Sequence, residues 1–405
     1  MKVLLVGSGG REHALAWRLA QSDGPELHAA PGNPGIAQLG ECHPVRAHDG
    51  EGLLGLARTL DADLVVIGPE APLVTGVADE LRHAGIAVFG PSAAAARIEG
   101  SKSFAKEVMN ASGVPTAATL SVARPPCVVK LDGLAAGKGV FVCRTADELD
   151  AGLKAAARAG GQVVIEELLE GEEASVFALC DGSRALPLAP ARDFKRLADG
   201  DAGPNTGGMG SFSPVAELGP ERLAEIVDRV HAPVLDELAR RGTPFHGLLY
   251  AGLMLTDQGL RVLEFNCRFG DPETQSIVPR LDGNLLDALA AAAAGDLGDA
   301  DLSSTDQAAV TVVLAAGTYP ERGDSGKPIE GIEDAEAAGA LVFHAGTAVR
   351  NGRLVTNGGR ILNVTGVGDT LADARAAAYA ACERISFADA RYRHDIAQQE
   401  AGVAR

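Results

Sequence analysis

Apolar and polar positions along the chain fall into short buried-type runs separated by glycine turns, and the runs predict strands alternating with helices. Lys2-Val3-Leu4-Leu5-Val6 is the first run, and it passes through Gly7-Ser8-Gly9-Gly10-Arg11-Glu12-His13 into an alanine-rich helix reaching Ala20. Asp63 to Ile67 leads in the same way into Gly68-Pro69-Glu70-Ala71-Pro72-Leu73, and Ala87-Val88-Phe89 into Gly90-Pro91-Ser92. Repeated strand, loop and helix units predict a small doubly wound parallel sheet ending near Gly100. A helix start follows at Glu99-Gly100-Ser101-Lys102-Ser103-Phe104, and then the pattern changes. Cys127-Val128-Val129-Lys130 and Val140-Phe141-Val142 read as antiparallel strands flanking a glycine-rich loop, and Val163-Val164-Ile165 runs into an acidic bend. Gly203 to Phe212 is too rich in glycine to read as a packed element. Phe245 to Leu255 and the strand carrying Glu264 form an antiparallel pair joined by Asp257-Gln258-Gly259. A helix is expected from Asn284 to about Gly295; a last segment from near Gln307 holds the strand Val310 to Leu314, a hairpin across Asn351-Gly352 and a helix through Arg384. The fold class is therefore α/β, with an α+β central part.

Composition narrows the function. The chain has 405 residues, 46% of them hydrophobic, which supports more than one packed domain. No apolar run approaches the roughly 20 residues of a membrane span, and the first residues form a strand pattern and not a signal peptide, so a cytoplasmic protein is expected. Six cysteines without a Cys-x-x-Cys pair argue against zinc knuckles and a disulfide framework. A formal net charge of −18, from 54 acidic and 36 basic residues, argues against nucleic acid as a partner. It leaves anionic small substrates open, since a phosphate site needs only a few basic groups and backbone amides converging locally.

The densest candidate chemistry ends the second strand of the antiparallel pair. Glu264 and Asn266 are two apart, so both side chains leave one face of an extended chain, and Arg268 continues that row. A carboxylate and an amide oxygen are hard donors suited to Mg²⁺, which takes few protein ligands and completes its shell with water and substrate phosphates. An arginine beside the ion offers paired N–H donors to a phosphate or a developing oxyanion. Asp271 and Glu273 crowd just beyond, placed equally well to support the loop or to touch a substrate. At the other end of the chain, Gly9, Gly10, Arg11 and Glu12 lie in a turn between strand and helix N-terminus, an arrangement that binds anions. Glu12 stands where a dinucleotide fingerprint needs glycine, and no acidic residue closes the second strand near His28-Ala29-Ala30, which leaves a phosphate turn without NAD or a structural turn. Lys102, in the first turn of a helix, opposes the helix dipole unless an anion sits nearby. Lys130 and Lys138 flank a loop without P-loop spacing, as in a flap folding over a triphosphate. The acidic bend from Glu166 to Glu173 lies between that flap and the Glu264 strand, where a hinge offers backbone groups to adenine and a carboxylate to ribose. Asn205, Thr206, Gly207 and Gly208 form a loop whose amides can approach a small ligand closely.

Taken together, Gly9 to Ala14, Gly68 to Leu73, Glu99 to Lys102, Asp132 to Val140, Gly203 to Gly210 and Glu264 to Glu273 resemble the motifs of the glycinamide ribonucleotide synthetase family of the ATP-grasp superfamily. The Arg268-Phe269-Gly270-Asp271-Pro272-Glu273 run is the most specific of them. The resemblance implies an ATP-grasp fold in four parts: an N-terminal phosphate-binding domain over 1–100, a central domain over 101–119 and 176–306, a lid over 120–175 and a C-terminal domain over 307–405. It implies that ATP, glycine and 5-phosphoribosylamine are converted to glycinamide ribonucleotide, ADP and phosphate in purine biosynthesis, by a chain working as a monomer. Lys102, Lys130 and Lys138 would then contact ATP phosphates, Glu166, Glu167, Leu168, Leu169 and Glu173 would face adenine and ribose, and Glu264 and Asn266 would hold Mg²⁺ or Mn²⁺. Arg268 would steady the transferring phosphoryl group; Gly9 to Glu12, Asp193, Lys195, Asn205 to Gly208, Arg268 and Asp271 would form the substrate site. Phe194 stands where members often carry histidine, and the strand from Tyr250 to Leu255 lacks the metal carboxylate of many ATP-grasp enzymes.

Overall fold

The structure, a computed structural model, describes residues 1–22, 24–135, 139–298 and 300–403. Its first hundred residues run β1 (Lys2–Gly7), α1 (Gly10–Leu19), β2 (Glu26–Pro31), β3 (Glu41–Cys42), α2 (Gly50–Leu60), β4 (Leu64–Ile67), α3 (Glu70–Thr75), α4 (Val77–His83), β5 (Val88–Phe89) and α5 (Ala93–Gly100). The strands form an all-parallel sheet in the order β3-β2-β1-β4-β5, as the repeated units predict. Both faces are covered, so β1 is apolar at successive positions: Leu4 and Val6 enter one core, Val3 and Leu5 the other. Helix starts are fixed locally, with the Asp49 carboxylate accepting from the Gly52 N–H at 3.0 Å and the Ser92 hydroxyl from Ala95 at 3.2 Å. The strand order reverses beside β1, and the C-terminal ends of β1 and β4 there open the crevice in which doubly wound sheets bind ligands.

After α6 (Lys102–Ser112) comes a separate small unit of β6 (Cys127–Leu131), β7 (Val140–Cys143), α7 (Ala146–Ala159) and β8 (Val163–Glu167). Its antiparallel sheet runs β7-β6-β8, and its core consists of Cys127, Val129, Cys143 and Ala156 with half-buried neighbours such as Leu153 and Ile165. Thr145 starts α7 with a reciprocal cap: its hydroxyl accepts from the Glu148 N–H at 3.2 Å, and the Glu148 carboxylate accepts from the Thr145 N–H at 3.0 Å.

The chain continues through β9 (Glu172–Asp181), β10 (Ala185–Pro187), β11 (Arg192–Asp193), β12 (Arg196–Ala198), β13 (Ala202–Asn205), β14 (Gly210–Ser213), α8 (Pro220–Ile226), α9 (Ala232–Arg240), β15 (His246–Thr256), β16 (Gly259–Asn266) and α10 (Glu273–Ile277). It ends in β17 (Leu281–Gly283), α11 (Leu285–Ala294), β18 (Leu302–Ser304), β19 (Ala308–Ala315), β20 (Asp324–Pro328), α12 (Ile332–Ala337), β21 (Leu341–His344), β22 (Thr347–Arg350), β23 (Arg353–Gly358), β24 (Arg360–Gly368) and α13 (Leu371–Cys382). The central sheet is β10-β9-β15-β16, with β15 and β16 antiparallel as expected. It claims residues 172–175, which the sequence assigns to the lid, because β9 pairs with β15 from Glu172 onward.

A five-stranded sheet, β11-β14-β19-β24-β21, crosses the expected boundary at 306/307: two of its strands precede that point by about a hundred residues in sequence. Its strand β14 also corrects the expectation that Gly203 to Phe212 holds no packed element. Gly210 to Ser213 are buried, and a Cβ on Gly210 would lie 2.7 Å from the Thr311 carbonyl and 2.8 Å from Ile396 Cδ1. Glycine is there to let strand and C-terminal chain meet. Among the described residues no helix is long and apolar enough to cross a membrane.

Candidate active site

Three parts of the fold converge on the end of β16. The pairing of β16 with β15 sets Glu264 opposite Gly252 and Asn266 opposite Tyr250, and puts both oxygen donors on one face. Gly252 brings no side chain to that face, so it offers no second carboxylate. Glu264 is half-buried and, among the described residues, makes no ion pair, which leaves its carboxylate available to a hard divalent cation, and Asn266 adds an amide oxygen that also accepts from Arg268 at 3.3 Å. This donor set fits Mg²⁺ or Mn²⁺.

Lysines approach this face from the small unit and from α6. Lys130 donates to the Leu263 carbonyl at 2.9 Å, and Lys102 donates to the Gly133 carbonyl at 2.9 Å. Burial draws the Lys102 ammonium below its usual range, with Lys130 adding to the effect and the Glu264 carboxylate opposing it. An entering phosphate would relieve that crowding of cations. Lys138, with Ala136 and Gly137 of the expected flap, lies outside the described residues.

Glu166, expected to face adenine or ribose, is held by ion pairs within the protein. It is buried, and its two oxygens pair with Lys130 at 2.7 Å and Lys106 at 2.9 Å, so it positions Lys130. Its β-strand explains this: Glu166 and Glu167 point to opposite faces, and Glu167 accepts from the Ala118 N–H at 2.7 Å instead. Lys106 was missed because a mid-helix lysine reads as solvated. Leu168 and Leu169, half-buried, form the strap from β8 to β9, and Glu173 is the second residue of β9 beyond it.

Glu173 pairs with Lys195 at 2.7 Å, and Lys195 also holds Asp193 at 2.9 Å. Burial pushes the Asp193 carboxyl up to about 7, against the pull of Lys195 and with Glu273 and Glu173 adding to the rise. Burial disfavours the Lys195 charge, yet Asp193 and Glu173 outweigh it and raise its pKa well above the ordinary lysine range. Behind them the Tyr250 hydroxyl donates to Glu273 at 2.7 Å and lies 2.8 Å from the Ser175 hydroxyl. Phe194 faces away, packed against Phe212 and under the Arg393 guanidinium.

The third part is the crevice of the N-terminal sheet. Arg268 reaches into it and is clamped by Glu70 at 3.2 Å and Glu99 at 3.1 Å, while also donating to the Phe269 carbonyl at 3.1 Å and to Asn266 at 3.3 Å. Burial opposes ionisation of Glu70, but Arg268 and Arg11 hold it below the usual carboxylate range. For Glu99 burial prevails and raises the carboxyl despite Arg268. At the head of α1, Glu12 accepts from the Gly9 N–H at 2.6 Å and pairs with Arg11 at 2.5 Å, and Arg11 donates to the Phe269 carbonyl at 3.2 Å. The helix is pressed against the rest of the site, since a Cβ on Gly10 would lie 2.7 Å from Gln275 Nε2 and still nearer the Asn363 amide.

Asp271 pairs with Arg360 at 3.0 Å, and Arg360 also donates to the carbonyls of Gly207 at 2.6 Å and Asp271 at 2.8 Å. Burial works against the Asp271 charge, but Arg360 and Arg11 hold its carboxyl low. The Gly207 N–H donates to the Tyr319 hydroxyl at 2.9 Å; Thr206 donates through its hydroxyl to the Lys195 carbonyl at 2.8 Å, and Asn205 accepts from Arg196 at 3.3 Å. The structure thus unites Gly9 to Glu12, Gly207, Gly208, Arg268 and Asp271 in one crevice beside the Glu264 face. Glu70, Glu99, Glu273 and Arg360 complete it. The first three sit in quoted motifs without an assigned partner; Arg360 is some ninety residues from Asp271 and carries no local signal.

Three family models match the chain in succession: the phosphoribosylglycinamide synthetase N domain over residues 1–99, its ATP-grasp (A) domain over 100–274 and its C domain over 309–399. The phosphoribosylamine–glycine ligase of Streptomyces coelicolor is 51% identical over 420 aligned residues, covering 100% of both chains. That of Mesorhizobium japonicum is 48% identical, covering 100% of this chain and 99% of its own. The crystal structure of phosphoribosylamine–glycine ligase from Thermotoga maritima has a TM-score of 0.85 at 36% identity, over 98% of this chain and 100% of that one. The biotin carboxylase domain of 2-oxoglutarate carboxylase from Hydrogenobacter thermophilus, at 17% identity and a TM-score of 0.71 over 96% of this chain and 91% of that one, shares the fold. With its N, A and C domains all present in order, the chain belongs to the phosphoribosylglycinamide synthetase family.

Proposed function

We propose that the chain joins glycine to 5-phosphoribosylamine at the cost of ATP, the step of purine biosynthesis for which its relatives are named, through a glycyl phosphate. A carboxylate is a poor electrophile, so a glycine carboxylate oxygen first attacks the γ-phosphorus and ADP leaves. The amine of phosphoribosylamine then attacks the acyl carbon, inorganic phosphate leaves and a proton is lost as the amide forms. Such chemistry needs positioning and charge neutralisation more than a protein nucleophile.

The observation that carries this reading is the junction of two unlike half-sites at the end of β16: oxygen donors with lysines on one side, and the crevice of α1, Arg268 and Asp271 on the other. Glu264 and Asn266 hold the divalent cation, which when bound neutralises the triphosphate and the charge that develops on transfer. Lys102 and Lys130 contact the phosphates, Lys138 belongs to the covering loop, and Arg268 steadies the moving phosphoryl group. Glu167, Leu168, Leu169 and Glu173 edge the adenine and ribose pocket. The glycine turn at Gly9 to Glu12, with the Asn205 to Gly208 loop, Asp193, Lys195 and Asp271, takes the phosphoribosyl and glycine parts, and closure of the small unit keeps water from the acyl phosphate.

ADP release, measured with glycine and phosphoribosylamine omitted in turn, tests the proposal. Turnover that requires both substrates is expected. Turnover with bicarbonate alone would point to a carboxylase on the same fold and sink the reading.

A further inference from the structure

The edge of the N-terminal sheet carries a second constellation, made of residues that take no part in the site at the end of β16. Strands β2 and β3 are parallel, with His28 paired to Glu41 and Ala29 to Cys42, and the His43 N–H continues the ladder by donating to the Ala29 carbonyl at 2.8 Å. Side chains two apart on a strand share a face, so Glu26 and His28 on β2 line up with Glu41 and His43 on and after β3. The sequence therefore places two imidazoles and two carboxylates on one patch, and the structure brings their tips together. His28 Nδ1 lies 3.1 Å from His43 Nε2 and 3.9 Å from Glu41 Oε2, and these three ligand atoms all fall within 4.8 Å of one another. The other ring nitrogen of His28 faces Glu26 Oε1 at 3.2 Å.

We infer that His28, His43 and Glu41 form a binding site for a divalent transition-metal ion, with Zn²⁺ the best-fitting member of the class. Two nitrogens bound at about 2.0–2.1 Å to a tetrahedral ion stand about 3.3 Å apart, close to the observed imidazole separation. The hard-ion alternatives are disfavoured, because imidazole nitrogens suit zinc, copper and nickel, whereas Mg²⁺ and Ca²⁺ prefer oxygen. His28 is buried and fixed, while the Glu41 side chain is about two-thirds exposed and has room to swing the remaining ångström onto the ion. Glu26 supplies the outer partner that ligating histidines usually have: accepting from Nε2–H, it leaves the Nδ1 lone pair pointing at the shared centre. With three protein ligands, the fourth position falls to water. The site is separate from Glu264 and Asn266, which serve an oxygen-loving ion, and its effect is to tie the edge strand β3 to β2.

Protein stripped with EDTA and dialysed is titrated with ZnCl₂ by calorimetry and with CoCl₂ by visible absorption. One equivalent of Zn²⁺ and the intense bands of tetrahedral Co²⁺ are expected. His43→Asn should weaken Zn²⁺ binding by more than tenfold and abolish the bands, and Glu26→Gln should weaken it by about tenfold or more while leaving all three ligands in place. Glu26 is exposed and His43 half-buried, both outside the ATP site, so Mg²⁺-dependent turnover of the variants should equal that of the parent and certify their folding. Failure of the parent protein to bind Zn²⁺, or equal uptake by parent and His43→Asn, would overturn the site and leave a hydrogen-bonded histidine pair.

Discussion

The small unit of β6, β7, α7 and β8 and the segment from Arg268 to Val278 both border the candidate site at the end of β16 but are held in place by opposite means. The first has four fully buried side chains in its core, and its ties to the body are polar: Lys130 to the Leu263 carbonyl, Ser103 to Asp132 at 2.5 Å and Lys106 to Glu166. Val122 just ahead of it and Leu134, Val142 and Val163 within it are four of the seven exposed large apolar side chains among the described residues. The second is buried from Pro272 to Val278 and is bonded to α1, β14 and β24: Arg11 to the Phe269 carbonyl, Ser211 to the Pro272 carbonyl at 2.9 Å and Thr365 to the Gln275 carbonyl at 3.2 Å. A small core with polar ties opens at low cost, and a buried, cross-linked segment does not. The small unit is therefore the part that opens most readily, and the segment from Arg268 to Val278 is the part that holds still.

The sharpest break in that comparison is Arg268→Met. It removes the cation clamped between Glu70 and Glu99, leaving only Arg11 near Glu70, and should cost about 3–5 kcal/mol of global stability in a denaturant titration as well as abolishing turnover. Lys130→Met should act on the other half: turnover falling by about 10²-fold or more, with a raised KM for ATP and a global unfolding midpoint nearly unchanged.

Acid should also separate the two. His13 and His344 sit at the contact of α1 with β21, where the His344 N–H donates to His13 Nδ1 at 2.7 Å. Burial, with His344 beside it, pushes His13 down to about 3, and burial pushes His344 and His231 each to about 4. An unfolded histidine titrates near 6.5, so the unfolded chain binds more protons below that pH and stability falls as pH drops from about 6.5 toward 4. Residues 120–171 contain no histidine. Denaturation at pH 7 and pH 4.5 should show the body losing stability on the order of a few kcal/mol, while amide protection within the small unit, corrected for the intrinsic pH dependence of exchange, changes little. The mildest perturbation is Val129→Ala in the small core. It should cost about 1–2 kcal/mol locally, visible as faster proteolysis between residues 127 and 167 and not as a lower global midpoint.

Much of this division was legible in the sequence. The β1 run and its glycine turn, the β15–β16 pair and the two-residue spacing of Glu264 and Asn266 follow from periodicity, because strand alternation is local. What sequence concealed is partnership across distance. Lys106 looks solvated until Glu166 is seen between it and Lys130, and Arg360 has no signal tying it to Asp271. Strand β14 hid for a different reason: glycine, which weakens a strand in isolation, is what lets Gly210 meet Thr311 and Ile396.

Hydrogen exchange with and without Mg²⁺, ATP and glycine tests the division most directly. The account predicts that residues 127–169 exchange fast in the free protein and gain protection on binding, while residues 272–278 are protected in both states. Fast exchange across 272–278 in the free protein, or a small unit already as protected as that segment, would contradict it.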